Sequence, residues 1–506
     1  MNGINTATCD RVYIRNEIYE KSLAESDVYD PNDDLDLCLS ETEEETTLVS
    51  RLTPLEDMQI CTPGIKSPRQ ILQGGIRKAF GGETNSIKLR YRLKNMPWGE
   101  ARKVWQTIAN EMAEDCFGPD GNVDVERLKG WMKFLGDAET FKKEPFRFIP
   151  HVELMRSQMY VVCECLVLDR NGARDQLNAA NGIAVGPHGR SLLAAMSQGR
   201  ESPLSPTVAI LASLFTPHRQ WNLPTCTIHS IINAEIRNHP GWLVKVYAQM
   251  LQSDQCTLPS GYAVWQQSIQ NGSITVDLRN GGKGRDDVFE DITGGDPAKI
   301  AEQIAEWQRE GIEYDEAEKY KFKMPVYNMT DLLFANILQA SNFGNRKIDD
   351  YREYGTMLIY AGHRERVEIY SSEIQVDDLN FLAGMAALKE RGEAWRRLGC
   401  HYMRVSTTSS DGGHAENIDI DALLAFDPNN METGKAYAIS DCNYGDDDMS
   451  QDIPRLAVRK MGGTPPTYEF GTLWCGSQFE KVDVSMIWVY ATDANVCDAE
   501  YWAQFQ

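Results

Sequence analysis

From Trp98 onward, apolar residues recur at three- and four-residue steps: Trp98, Ala101, Trp105, Ile108 and Met112 fall on one stripe of a helix. The run DCFGPDG, Asp115 to Gly121, stops it with proline and glycine. A second helix is predicted from about 123 to 135, with Val125, Leu128, Met132 and Leu135 turned inward. Further helices are predicted at 190–200, 206–215, 226–237, 241–252, 297–310, 329–340 and 380–397. The continuous apolar run MYVVCECLVLD, 159–169, fits either a buried helix or a strand. GSITVDLRNGGKGRDD, 272–287, reads as a strand followed by a glycine-rich turn. Beyond 400 the texture changes. HYMRVSTTSS, KAYAIS and SMIWVYAT read as strands between polar loops. The fold class predicted is mainly α: a helical body over 96–340, then a smaller mixed α+β portion over 341–506.

The segment before the body has a different character, that of a charged extended arm over 1–95. From Ser22 to Ser50 there is no Lys or Arg, while ten residues are Asp or Glu. A block of like charge with few apolar residues does not fold alone. The stretch CTPGIKSPRQILQGGIRKAFGGE then carries Pro63, Pro68, Gly74, Gly75, Gly81 and Gly82, the punctuation of a connector. Between Lys66 and Lys103 the sign inverts: ten Lys and Arg stand against Glu83 and Glu100 alone.

Within this basic stretch, IKLRYRLK (87–94) alternates strictly. Ile87, Leu89, Tyr91 and Leu93 share one face of a strand, and Lys88, Arg90, Arg92 and Lys94 share the other. Together with Arg77 and Lys78 they form a candidate assembly arm or anion-binding strand. Its partner is the acidic arm of a neighbouring subunit or an RNA backbone read through its phosphates. The same alternation also suits an edge strand whose cations discourage aggregation, or one that meets its own acidic arm.

The composition changes the picture in two ways. With 506 residues, two to four domains are expected at about 150 residues each. The formal net charge of −23 repels phosphate on average, so any nucleic-acid contact must come from a local basic patch. The twelve cysteines are widely and irregularly spaced, unlike a disulfide scaffold. No apolar stretch approaches the 18 or so residues of a membrane span, and the first residues lack a secretory pattern. Reduced thiols in a cytoplasmic setting are expected, with the sequons at Asn271 and Asn328 unmodified.

Candidate chemistry is sparse. Tyr444-Gly445-Asp446-Asp447 resembles the metal-binding turn of viral RNA polymerases, but its flanks are loop residues and not apolar strands. Eight histidines are scattered without HxxxH spacing, and no cysteine pair has CxxC spacing. Cys163 and Cys165 lie in an apolar run and read as small core side chains. Cys226 with His229, or Cys400 with His401, becomes a site only where the fold adds a third group. SSDGGH (409–414) lacks the serine-hydrolase elbow, and GGKGRDD (281–287) lacks the phosphate-loop spacing. No catalytic residue, metal or cofactor is assigned. Arg190, Arg219 and Arg237, with Trp221 as a stacking face, form a candidate groove for single-stranded RNA, or are dispersed surface residues.

A charged arm, a helical body and no catalytic signature make the overall plan similar to that of RNA-virus capsid and nucleocapsid proteins. The resemblance is architectural and carries over no residues. It implies a self-assembling viral structural protein, found in the virion and the host cytoplasm. Its expected partners are other copies of itself, further viral structural proteins and RNA, with no membrane. Two other classes stay open: a non-polymerising RNA-binding protein, and an enzyme of an unrecognised class marked by a pocket gathering carboxylates, Cys or His.

Overall fold

A computed structural model describes residues 66–82, 98–143, 145–149, 152–197, 200–216, 218, 226–258, 263–277, 296–314, 321–343, 371–375, 381–397, 402–409, 412–439, 455–474, 478–481 and 484–490. The first helix, α1 (Pro68–Ala79), falls inside the stretch expected to be extended. Ser67 caps it: the Gln70 N–H donates to Ser67 Oγ at 3.4 Å, and the Ser67 N–H donates to Gln70 Oε1 at 2.9 Å. Pro68 sits in the first turn, where no N–H donor is needed. Leu72, Ile76 and Phe80 are buried against α2 (Trp98–Asp115). Gly75 is buried in the same contact, facing Ile108. The sequence Ser-Pro-Arg-Gln spells that capping box, but the surrounding glycines and prolines disguise it as a connector.

Further helices follow: α3 (Val125–Leu135), the single turn α4 (Ala138–Phe141), α5 (Val152–Val167), α6 (Ala173–Ala179), α7 (Pro187–Met196), α8 (Pro206–Phe215), α9 (Cys226–Asn238) and α10 (Pro240–Gln252); α4 and α6 are not among those the sequence predicts. The stripe predicted for α2 is the one buried, with Ala101, Trp105, Ile108 and Met112 at zero exposure. In α3, Leu128 and Leu135 are buried and Val125 and Met132 half-buried, while Trp131 joins the core beside them. Helix geometry settles the ambiguous run at 159–169, and Cys163 and Cys165 are buried in it. PTVAILASLF is apolar all round, so α8 is enclosed on every side, with each residue from Thr207 to Phe215 buried against α2, α5 and α10. α7 starts against the end of α10: the Gly186 N–H donates to the Leu251 carbonyl at 2.8 Å.

Small sheets interrupt the helices. β1 (Gln255–Thr257) and β2 (Ala263–Trp265) pair antiparallel. β3 (Ser273–Asp277), β4 (Glu313–Tyr314) and β5 (Lys321–Pro325) form an antiparallel sheet with β5 central. α11 (Pro297–Glu310) covers it through Trp307, which meets Phe322 edge-on at 4.8 Å. α12 (Met329–Phe343) closes this region, and one apolar cluster runs through it from Leu72 to Leu338.

A second, smaller cluster lies beyond. α13 (Phe381–Arg397) and α14 (Ile420–Ala425) pack together, and Phe381 stacks on Tyr468 at 4.4 Å. The strands are β6 (Ser371–Gln375), β7 (Tyr402–Ser409), β8 (Gly412–Asp419), β9 (Ala436–Ala438), β10 (Arg455–Lys460), β11 (Tyr468–Trp474), β12 (Gln478–Lys481) and β13 (Val484–Tyr490). They form two antiparallel sheets, ordered β6-β13-β7-β8 and β12-β11-β10-β9. Fourteen helices and four small sheets among the described residues make the chain mainly α with a smaller α+β portion. The hairpin β7–β8 lies on α9, which joins the two parts.

Candidate functional site

α9 departs from what its sequence suggests. CTIHSIINAEIRN is rich in polar groups, yet every residue from Ile228 to Pro240 is buried. Burying polar groups costs free energy unless partners satisfy them, so α9 must lie among such partners. Its C-terminal half finds them. Arg237 Nε donates to Gln158 Oε1 at 2.9 Å and its guanidinium lies over the Tyr402 ring at 4.5 Å. His239 Nδ1 and Glu235 Oε2 are 2.9 Å apart. Asn238 brackets the Tyr402 backbone: it donates to the carbonyl and accepts from the N–H, both at 2.9 Å. From β8, Asn417 Nδ2 donates to the Ser230 carbonyl at 3.0 Å.

The N-terminal half of α9 faces an ionic cluster built by five elements. Arg102 of α2 bonds Asp331 of α12, and both are nearly inaccessible, at 0% and 4% exposure. Local chain geometry fixes Asp331. It is the third residue of α12, and Asn328 caps that helix reciprocally: the Asp331 N–H donates to Asn328 Oδ1 at 3.0 Å, and the Asn328 N–H donates to Asp331 Oδ2 at 3.2 Å. The Tyr327 N–H adds a bond to the same oxygen at 2.8 Å, while the Tyr327 ring lies 5.0 Å from the Arg102 guanidinium carbon. Ser213 of α8 accepts from the Met329 N–H at 3.1 Å, and Tyr247 of α10 bonds Thr330 at 2.8 Å. His218, which follows α8, brings Nδ1 to 3.4 Å from Asp331 Oδ1. His229 of α9 lies against it with ring centroids 4.5 Å apart, and Phe334 covers His229 at 4.3 Å.

The charges in this cluster are unequal. Burial pushes the Asp331 carboxyl up, but the Arg102 charge and the His218 contact overcome it and hold the group at about 2. Burial lowers His218 below its ordinary value, against the opposing pull of Asp331. Burial lowers His229 much further, and the neighbouring His218 and Arg102 act in the same direction. The cluster at neutral pH is therefore one ion pair beside two neutral imidazoles. At 0 to 4% exposure it is closed to any substrate in this conformation. Its chemistry is that of a buried electrostatic fastener between helices.

Of the residues singled out from the sequence as an anion-binding strand or RNA groove, the described ones do not converge here. Lys88, Arg90, Arg92, Lys94, Arg219 and Trp221 lie outside the described residues, as do the acidic block 22–50, GGKGRDD and the Asp pair at 446–447. Arg77 is exposed on α1. Lys78 pairs with Glu111 at 2.7 Å, and Glu111 also takes Arg200 at 2.8 Å, so Lys78 is engaged by its own chain. Arg190 is exposed on α7 and donates to the Val185 carbonyl at 2.8 Å. Arg237, expected to line an RNA groove, is 4% exposed and held by Gln158 and Tyr402. Arg237 is interior and Arg190 exposed, so the two do not share a surface. Of the Cys226–His229 pairing, the fold lays His229 against His218, and it is His218 that meets Asp331.

Arg102 was one of many cations in a basic stretch, and Asp331 one of many acids. The spacing Asn-x-x-Asp before an apolar run is the single local signal of this cluster, since it marks the start of α12. Among the described residues there is no group of three metal-ligating side chains placed to hold an ion, and no helix long and apolar enough to cross a membrane. No protein-family model, no curated protein and no solved structure matches this chain.

Proposed function

We propose that this chain is a self-assembling structural subunit of an RNA-virus particle, a capsid shell or nucleocapsid protein whose copies join through the charged N-terminal segment. The observation that carries the reading is the order of charge: ten acids in 22–50 without one cation, then ten cations in 66–103 against two acids. Opposed blocks at separate positions on one chain suit head-to-tail contact, because the acidic block of one copy is attracted to the basic block of the next. The exposed Lys66 and Arg77 beside α1 add to the basic side of such a contact. The net charge of −23 favours a shell over a coat wound along RNA, which needs a cation near each phosphate.

The test is light scattering on the full chain and on a chain lacking residues 1–65, each with and without ribonuclease. That deletion spares α1, which the core needs. Large homotypic oligomers are expected for the full chain, insensitive to ribonuclease, and lost on deletion while the circular dichroism of the body is kept. A truncated chain that assembles like the full one defeats the arm-mediated contact. A monomer whose RNA affinity falls with salt, and is lost in Arg90→Glu with Arg92→Glu, marks a non-polymerising RNA-binding protein instead.

A further inference from the structure

Two histidines share the buried cluster with Arg102, and neither has an acid to itself. From α12 the group facing them is Asp331, from α2 Arg102, and from α10 Tyr247, whose hydroxyl is bonded to Thr330. α8 contributes the uncharged Ser213, already bonded to the Met329 N–H. On α5, Gln158 is taken by Arg237, and Glu164 pairs with Arg170 at 3.3 Å. The β7–β8 hairpin reaches α9 through Asn417 and Tyr402, and the buried Asp419 at the end of β8 caps α14 by accepting from the Asp421 and Ala422 N–H groups. On α9 itself, Glu235 meets His239 at 2.9 Å, one helical turn further on than His229's own neighbours. Among the described residues Asp331 is the acid that meets the imidazole pair, and Arg102 with two backbone N–H groups already engages it. Both ring nitrogens of His229, and Nε2 of His218, have no hydrogen-bond partner among the described residues.

We propose that the His218–His229 pair makes the helical body acid-responsive: proton uptake at His229 places a second cation beside Arg102, with no acid among the described residues bonded to it, and drives α9 away from α2 and α12. A charge in such a closed site is relieved by opening to water, because Asp331 is already engaged by Arg102. His218 is the lesser half of the device, since Asp331 at 3.4 Å compensates its charge in part. α9 also carries the β7–β8 hairpin, so its displacement loosens the join between the helical and sheet-rich parts. The inference stands on this cluster alone and is independent of whether the chain assembles.

The experiment is urea unfolding of the full chain against His229→Phe, each at pH 7.5 and at pH 5.5 (on the order of one unit either side of a free imidazole). Groups common to both proteins cancel in the comparison. A histidine protonated in the unfolded chain and neutral in the folded one reduces the folding constant about tenfold over that interval, so the variant is expected to lose about tenfold less than the parent. Equal losses in the two proteins overturn the proposal. Should His229→Phe fail to fold, deuterium exchange at the C2 position of each histidine, read by mass spectrometry on the unaltered chain, decides the matter. A His229 that stays neutral and slow to exchange until the body opens supports the proposal, and one that titrates like a free imidazole in the folded protein overturns it.

Discussion

The two ends of α9 are buried by different means. At its N-terminal end a full ion pair, Arg102–Asp331, sits beside two imidazoles, deep in the larger apolar cluster. At its C-terminal end, toward β7, the Asn238 amide brackets the Tyr402 backbone and the Arg237 guanidinium lies over the Tyr402 ring at 4.5 Å. A charged buried cluster is all-or-none, because losing one partner strands the other charge in a medium that cannot solvate it. An amide-to-backbone seam is graded, and each bond lost costs about 1 kcal/mol plus the desolvation of what is left unpaired. The body should therefore fail abruptly at the first end and loosen stepwise at the second.

The sharpest way to break this contrast is Asp331→Ala. It removes the counter-charge of Arg102 and the cap acceptor of α12 together, and is expected to cost about 3–5 kcal/mol in urea unfolding. A loss near 1 kcal/mol would mean that water reaches Arg102 and that the cluster is no fastener.

Acidification should separate the two ends next. His218 and His229 hold fewer protons folded than unfolded, so their contribution is complete above their ordinary value of 6.5 and declines as pH falls below it. Where both remain neutral in the fold, the slope approaches about 1.4 kcal/mol per pH unit for each histidine. Asp331, held at about 2 against an ordinary 3.8, contributes fully above 3.8 and loses that contribution as pH falls toward 2. Amide hydrogen exchange should report early acid loss of protection in the first turns of α9 and in α12. Uniform loss across both ends of α9 would erase the distinction.

Asn238→Ala should cost less, about 1–3 kcal/mol, and without pH dependence. Its effect should appear as faster exchange in β7 while α2 and α8 keep their protection. The smallest effect is expected at α1, where Gly74→Ala has open space around it and an ordinary helical backbone. A gain of about 0.5–1 kcal/mol in thermal or urea stability follows from reduced freedom of the unfolded chain. A loss there would show that α1's outer face is not free of contact.

How much of this was legible in the sequence depends on the range of the cause. Helices at 206–215, 297–310 and 380–397 agree with α8, α11 and α13 to within a residue, because apolar spacing and proline or aspartate at the start act within a few positions. α1 was hidden behind the glycines and prolines that surround its capping box. β5, central in its sheet, was hidden because Lys321, Lys323 and the flanking Pro325 make KFKMP look like a polar loop. Of the cluster, only the Asn-x-x-Asp start of α12 was legible.

The order of residues by itself determined where most helices lie, that strands gather after 400, and that opposed charges precede the body. Only the tertiary structure decided that polar α9 is interior, and that Arg102 belongs with an aspartate 229 positions away. The physical reason is that periodicity is a property of neighbouring residues along one helix or strand. Which of many Arg, Asp and His are desolvated together depends instead on how distant helices pack, and no local pattern records that choice.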